Sequence, residues 1–471
     1  MFIAGLLLIS LFSLATAYTD EALLDQVIEM PGLAYEPAFN QFSGYIPLDG
    51  TQKYIHYWLV EAEIPDAPLV FWTNGGPGCS GLIGFMTEQG PFRPDAVGNI
   101  LANEYAWNKV ANMVFLEQPV GVGFSYSDNN DDYKIGDDQA AKDNLATILG
   151  FLTKFPEFAQ TPLYITSESY GGHYMPTLAN EIINYNDAIE SGKLNFMGFA
   201  VGNPYTDYYS GVGAEMETYW GKQLLPKPSW DKYVANGCLT VEQQLNNSVC
   251  TYMILDFMKK IGNLNPYALD YPVCLTSQQR TMHAFVHGSD GVNSYGGVNS
   301  YGGVNSYEPC EDDFATNYLN DPAVKKAIHV NDIEWVECSH TTKYQMADKM
   351  LPMEKYYRTI LNSETHPNLR ILVYSGDDDG VCGTIGTQRW IYDLGFPVDS
   401  LWKTWILDGQ TAGYITTFNT PFSKESRFAF MTVHGAGHEV PTYKPKEALE
   451  LFQMYLENNI YTVEHLKQST P

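Results

Sequence analysis

Apolar and polar positions alternate from Gln41 to Glu63 around an Asp49-Gly50 pair: Phe-Ser-Gly-Tyr-Ile-Pro-Leu, then Lys-Tyr-Ile-His-Tyr-Trp-Leu-Val. A period of two about a turn dipeptide predicts a β-hairpin. Later runs are short and almost continuously apolar, as in strands covered on both faces. They are Pro68–Thr73, Asn112–Leu116, Leu163–Thr166, Phe196–Val201, Arg370–Ser375 and Phe428–Val433. Helical spacing runs over Asp137–Phe155, from Tyr170 through Ile183, over Asp321–His329 and over Pro445–Leu456. Strands alternating with helices predict an α/β domain on a mostly parallel sheet, with helices on both faces.

The alternation stops from about Tyr205 to about Glu311, a stretch holding four of the seven cysteines and little strand character. It reads as an insertion, or cap, at 205–311 that divides a core of 18–204 and 312–471. Inside it, Gly-Val-Asn-Ser-Tyr-Gly occurs at Gly291–Gly296 and Gly297–Gly302, and a third copy, Gly303–Glu308, ends in Glu. Three copies without a flanking ladder predict a flexible loop expansion over 291–308 rather than a β-helix.

Composition narrows the setting. A length of 471 residues, 45% hydrophobic, allows a large core. Net charge is −28, from 27 Lys+Arg against 55 Asp+Glu, with no basic patch, which argues against a nucleic-acid partner. That acidity costs self-repulsion, which relaxes as carboxylates take up protons. Met1–Ala17 reads as a signal peptide: an apolar run, Ala4 to Leu14, precedes the A-x-A pattern Ala15-Thr16-Ala17. The run is too short to span a bilayer, so the chain is expected in the secretory pathway, free of the membrane once the signal is removed. Six cysteines can pair in an oxidising compartment and one is left over. There is no C-x-x-C pair, which argues against a zinc site, and nothing calls for a cofactor. Asn246-Asn247-Ser248 is the one N-x-S sequon, making Asn246 the expected glycosylation site.

The chemistry gathers where strands end. Leu163–Thr166 runs into Ser167-Glu168-Ser169-Tyr170-Gly171, a serine wedged between strand and helix as in a nucleophile elbow. The elbow pattern G-x-S-x-G has Gly first, and here that position is Ser167. The N–H of Tyr170 opens the helix, where free donors can meet a developing oxyanion. Arg370–Ser375 ends in Gly376-Asp377-Asp378-Asp379, and Phe428–Val433 ends in His434-Gly435-Ala436-Gly437-His438. Functional groups of parallel sheets collect beyond the carboxyl ends of strands. The order Ser169, an Asp within 377–379, then His438 is that of α/β-hydrolases.

Four blocks make the chain resemble the serine carboxypeptidase family: Trp72-Thr73-Asn74-Gly75-Gly76-Pro77-Gly78-Cys79-Ser80, Glu168-Ser169-Tyr170-Gly171-Gly172-His173-Tyr174, Tyr374-Ser375-Gly376-Asp377-Asp378-Asp379 and Gly435-Ala436-Gly437-His438-Glu439-Val440-Pro441. The resemblance covers about Tyr35 to Leu456. It implies an α/β-hydrolase fold and a triad of Ser169, Asp379 and His438, with release of C-terminal residues from peptides and proteins at acid pH. It places the oxyanion hole between the N–H groups of Gly76 and Tyr170. Asn74, the N–H of Gly75, Glu88 and Glu168 become the clamp for the substrate's terminal carboxylate. It also implies disulfides Cys79–Cys338, Cys238–Cys250 and Cys274–Cys310, with Cys382 a free thiol, and a lysosomal, vacuolar or extracellular location. Acyltransferases, lipases or esterases, and non-catalytic protective or binding proteins share the fold; the clamp residues favour peptides. The preferred side chain and the oligomeric state stay open.

Overall fold

The computed structural model describes residues 18–275 and 307–461. The expected signal peptide and residues 291–306 of the repeat lie outside them. The apolar runs become one twisted sheet of β1 (Gln41–Pro47), β2 (Lys53–Val60), β3 (Leu69–Thr73), β4 (Asn112–Leu116), β5 (Leu163–Glu168), β6 (Phe196–Gly202), β7 (Arg370–Gly376), β8 (Val398–Leu407), β9 (Gln410–Phe418) and β10 (Phe428–Val433). Their spatial order is β1-β2-β4-β3-β5-β6-β7-β10-β9-β8, and the short strand Tyr126–Ser127 also pairs with β2. From β4 to β10 every pair along this path is parallel, and the pairs at both ends are antiparallel. The result is an α/β-hydrolase sheet.

Two cores cover the sheet's two faces, and the pleat decides which residue joins which. Tyr57, Leu59, Phe71, Ile165, Phe199 and Val373 pack with the helices α1 (Asp137–Lys154) and α2 (Gly171–Ala188). Their strand neighbours Trp58, Val60, Trp72, Tyr164, Ala200 and Tyr374 pack with α3 (Pro445–Leu456). Each side is a continuous apolar layer, which explains why the central runs lack alternation.

Two expectations need correction. The helix expected over Asp321–His329 is shorter, Pro322–Ala327, because His329 takes a left-handed φ of 57° that no helix continues through. The β8–β9 hairpin was not foreseen from the pattern. Most of β8 faces solvent and its pairing with β9 is interrupted by three register shifts, which blurs the period of two. Its turn, Asp408-Gly409, takes positive φ at both residues (50° and 74°), as a tight hairpin turn requires.

Residues 215–260 form helices Glu215–Gly221, Lys227–Ala235, Val241–Asn246 and Ser248–Lys260. A small core of Met216, Tyr219, Leu225, Tyr233 and Phe257 joins them around the Cys238–Cys250 disulfide. This unit and the segment that follows it touch the strand-end loops directly. Lys222 pairs with buried Asp378, the Asp270 N–H donates to Asp378 at 2.9 Å, and the His438 N–H donates to the Tyr267 carbonyl at 2.7 Å. Disulfides also join Cys79 to Cys338 and Cys274 to Cys310, and Cys382 is free and buried. Asn246 is exposed at the end of its helix. Among the described residues no helix is long and apolar enough to cross a membrane.

Candidate active site

Ser169 follows β5 immediately, at the turn into α2, with φ of 57°. A left-handed φ at a non-glycine residue costs about 1–3 kcal/mol and persists only where its surroundings enforce it. Here the Ser169 N–H donates to the Gly202 carbonyl at 2.9 Å, and the Ser169 carbonyl accepts from Tyr205 N–H at 2.7 Å. Ser167, the departure from the elbow pattern, is buried, and its hydroxyl donates to the Thr73 carbonyl at 2.6 Å. The extra oxygen thus ties β5 to β3 and leaves the turn intact.

Asp379 and His438, from the loops after β7 and β10, are in contact: Nδ1 lies 2.7 Å from Asp379 Oδ2. Asp379 is saturated with donors. Oδ2 also accepts from the Asn203 amide at 2.7 Å, and Oδ1 accepts the N–H groups of Val381 and Cys382 at 2.7 and 3.2 Å. These bonds fix the carboxylate against Nδ1, which holds the imidazole in one tautomer and leaves Nε2 as the acceptor. His438 Nε2 is buried and has no partner among the described residues. Burial lowers the His438 pKa, but the Asp379 carboxylate, aided by Glu439 and Glu88, overrides it and lifts the group to about 9. Cys382 is sealed beside Asp379, and burial pushes its thiol well up, so it is no ready nucleophile.

The loop after β3 lies against the elbow. A Cβ on Gly75 would meet Tyr170 N at 2.4 Å and Ser169 Cβ at 2.7 Å, so only glycine permits this approach. Gly76, at φ of 106°, belongs to the same turn. Gly75→Ala should therefore retain its secondary structure by circular dichroism yet lose activity about a hundredfold, as expected when reacting groups shift by an ångström.

Asn74, Glu88 and Glu168 also meet. The Asn74 amide donates to Glu88 Oε1 at 2.7 Å and to Glu168 Oε1 at 3.0 Å, and its own oxygen accepts from Trp72 Nε1 at 2.8 Å and Gly84 N at 3.1 Å. That second pair of bonds fixes which end of the amide faces the carboxyls. Glu88 ends a π-helical turn, Gly84–Glu88, whose last carbonyls accept from the Arg93 guanidinium. Both carboxyls are buried and face each other across the Asn74 amide. Burial pushes Glu88 up to about 7, and burial together with the facing Glu88 and Glu439 charges pushes Glu168 well up. Burial likewise raises Glu439 to about 8.

Asn203 and Glu439 were missed as site residues when the chain was read alone. Asn203 stood in Gly202-Asn203-Pro204, one more loop at a strand's carboxyl end, and Glu439 stood beside His438. Position was the available signal in both cases. Among the described residues the one His, Cys, Asp or Glu group close enough to share a metal is Cys274, Cys310 and Asp313, and its sulfurs are bonded to each other. A cavity of about 610 Å³, lined in part by Tyr126, Tyr133 and His340, contains none of the candidate site residues.

Comparison with known proteins agrees with this architecture. The serine carboxypeptidase family model matches residues 31–458. Serine carboxypeptidase 24 of Arabidopsis thaliana is 34% identical over 96% of this chain and 96% of its own length. Serine carboxypeptidase-like 28 of the same plant is 32% identical over 93% and 92%. The crystal structure of Kex1(delta)p, a prohormone-processing carboxypeptidase from Saccharomyces cerevisiae, superposes with a TM-score of 0.75 at 21% identity, covering 93% of this chain and 96% of that one. The matched span takes in every strand of the sheet and all three strand-end loops just described, and the chain belongs to the serine carboxypeptidase family.

Proposed function

We propose that the protein is an acid-acting serine carboxypeptidase, releasing C-terminal residues from peptides through an acyl-enzyme. The observation that carries this reading is the buried Asn74–Glu88–Glu168 group beside the elbow, in which both carboxyls face one amide. A hydrolase of esters or lipids has no use for buried carboxyls held protonated. A peptide's terminal carboxylate does, because protonated carboxyls donate hydrogen bonds to it while ionised ones repel it.

Ser169 Oγ attacks the scissile carbonyl as His438 Nε2 takes its proton, and Asp379 orients and stabilises the imidazolium. The oxyanion is received by the N–H groups of Gly76 and Tyr170. His438 then hands the proton to the leaving amino acid. Water, deprotonated by the same nitrogen, attacks the acyl carbon, and the imidazolium returns that proton to Ser169 Oγ as the peptide leaves.

Clamp and base pull in opposite directions. Glu88, at about 7, loses its proton as pH rises and releases the substrate carboxylate. His438 must lose its proton to act, and protonation of Glu88 and Glu439 in acid withdraws two of the charges that raise it. KM for free-acid peptides should therefore climb above about pH 7 while kcat rises with pH, giving a bell-shaped kcat/KM. The variant carrying Glu88→Gln and Glu168→Gln should keep its KM nearly flat across neutrality. An unchanged pH profile for KM would refute the clamp.

The enzyme itself is tested by digesting a mixed peptide library at acid pH and reading the products by mass spectrometry. Single-residue C-terminal ladders, absent with Ser169→Ala, are expected. C-terminally amidated peptides cleaved as fast as free acids would overturn the exopeptidase reading.

A further inference from the structure

One buried carboxyl group takes no part in the chemistry above. Asp137, the first residue of α1, is 4% exposed, and its carboxylate collects three side-chain contacts. Tyr344 Oη donates at 2.6 Å, Tyr170 Oη donates at 3.1 Å, and His173 Nδ1 lies at 2.8 Å. Its own N–H donates to Asp348 at 2.9 Å, which fixes the residue at the helix start. His173 is fully buried, its Nε2 has no partner among the described residues, and its ring stacks on Tyr170 with centroids 4.5 Å apart. Tyr205 lies within 5.9 Å of the Tyr170 ring. The side chain of Tyr170 is thus held at its hydroxyl and along its face, and the backbone N–H of that residue is a proposed oxyanion donor.

The other wall of the hole hangs from the same cluster. Gly78 N–H, in the loop that carries Gly76, donates to Tyr174 Oη at 3.2 Å. The Tyr174 ring meets Tyr170 at 5.2 Å and Tyr344 at 6.3 Å. A core that needed only packing here would use an apolar group, since an anion is costly to bury unless every donor around it is held in place.

We infer that Asp137 is a positioning residue that aims both oxyanion donors, Tyr170 through its hydroxyl and Gly76 through the contacts from Tyr344 to Tyr174 to Gly78. The inference rests on the hydrolytic reading above. Oxyanion donors act on the transition state rather than on bound substrate, so their loss of aim falls on kcat and spares KM.

The test compares wild type, Asp137→Asn and Tyr344→Phe, each checked for folding by its thermal midpoint and assayed well below it. Asn keeps the shape and one acceptor oxygen. For Asp137→Asn we expect kcat to fall about ten- to a hundredfold, with KM nearly constant. Tyr344→Phe, which removes one hydroxyl and no charge, should lose less in the same direction, and it carries the test if Asp137→Asn does not fold. A peptide aldehyde supplies a second readout. Ser169 Oγ adds to its carbon, the carbonyl oxygen becomes the oxyanion, and His438 takes the hydroxyl proton. Its inhibition should weaken in step with kcat, while inhibition by a free product amino acid stays constant. A variant with a lowered midpoint but unchanged kcat and aldehyde inhibition would make Asp137 merely structural, and a raised KM at constant kcat would also overturn the proposal. Absence of Ser169-dependent turnover in the wild type would instead remove the hydrolytic reading, and this inference with it.

Discussion

Asp379→Asn should lower kcat by about four orders of magnitude while leaving the chain folded. The size follows from what surrounds that carboxylate. Its oxygens meet His438 Nδ1, the Asn203 amide and the N–H groups of Val381 and Cys382. An asparagine offers one acceptor oxygen to those groups and turns an N–H toward one of them. If Asn Oδ1 stays with the backbone donors, the amide nitrogen faces His438, the imidazole adopts the other tautomer, and Nε2 carries a proton when it should accept one. Ser169→Ala should be at least as severe, with a residue of catalysis of roughly 10³–10⁴ over water from the oxyanion hole and binding. Steady-state kinetics on a blocked dipeptide, with circular dichroism to confirm folding, decide the matter. An Asp379→Asn enzyme within tenfold of wild type would remove the triad.

The second large effect is on stability, which should be greatest on the acid side and decline from about pH 5 to pH 8. Glu88 rises from 4.5 to about 7 because it is buried, and Glu439 to about 8; Glu168 and Glu311 move well up for the same reason. A carboxyl whose folded pKa exceeds its unfolded value binds its proton more tightly when folded. Its contribution is complete below the unfolded pKa and is lost as pH climbs through the folded one. For Glu88, 1% exposed, the shift corresponds to roughly 3 kcal/mol lost between about pH 4.5 and 7. The formal charge of −28 adds repulsion over the same range. Thermal midpoints measured from pH 4 to 8 provide the check, and Glu88→Gln should flatten the decline. A wild-type midpoint that climbs steadily to neutrality would contradict the buried-carboxyl account.

How much could be read from the chain alone depended on whether a signal is local. The buried strands were legible because each, covered on both faces, must be apolar throughout, and the loops beyond their ends followed. The β8–β9 hairpin escaped because an edge ribbon facing solvent imposes little pattern, although Asp408-Gly409 marked its turn. Ser169 and His438 were legible from residue type and position, and choosing Asp379 over its two acidic neighbours needed the family resemblance. Asn203 offered only its place at a strand's end, and Asp137 offered nothing, because its meaning lies in convergence. Asp137 touches residues 33, 36 and 207 positions away, and no periodicity encodes such a meeting.

The Cys274–Cys310 bridge spans 36 residues and Cys79–Cys338 spans 259. A backbone cut anywhere from 276 to 306 falls inside both loops. It would yield two polypeptides, one carrying Ser169 and the other Asp379 and His438, still tied by two covalent links and by the pairing of β6 with β7. Such a two-part molecule would run as one band in denaturing electrophoresis until a reductant is added, with the proposed nucleophile and base on different halves.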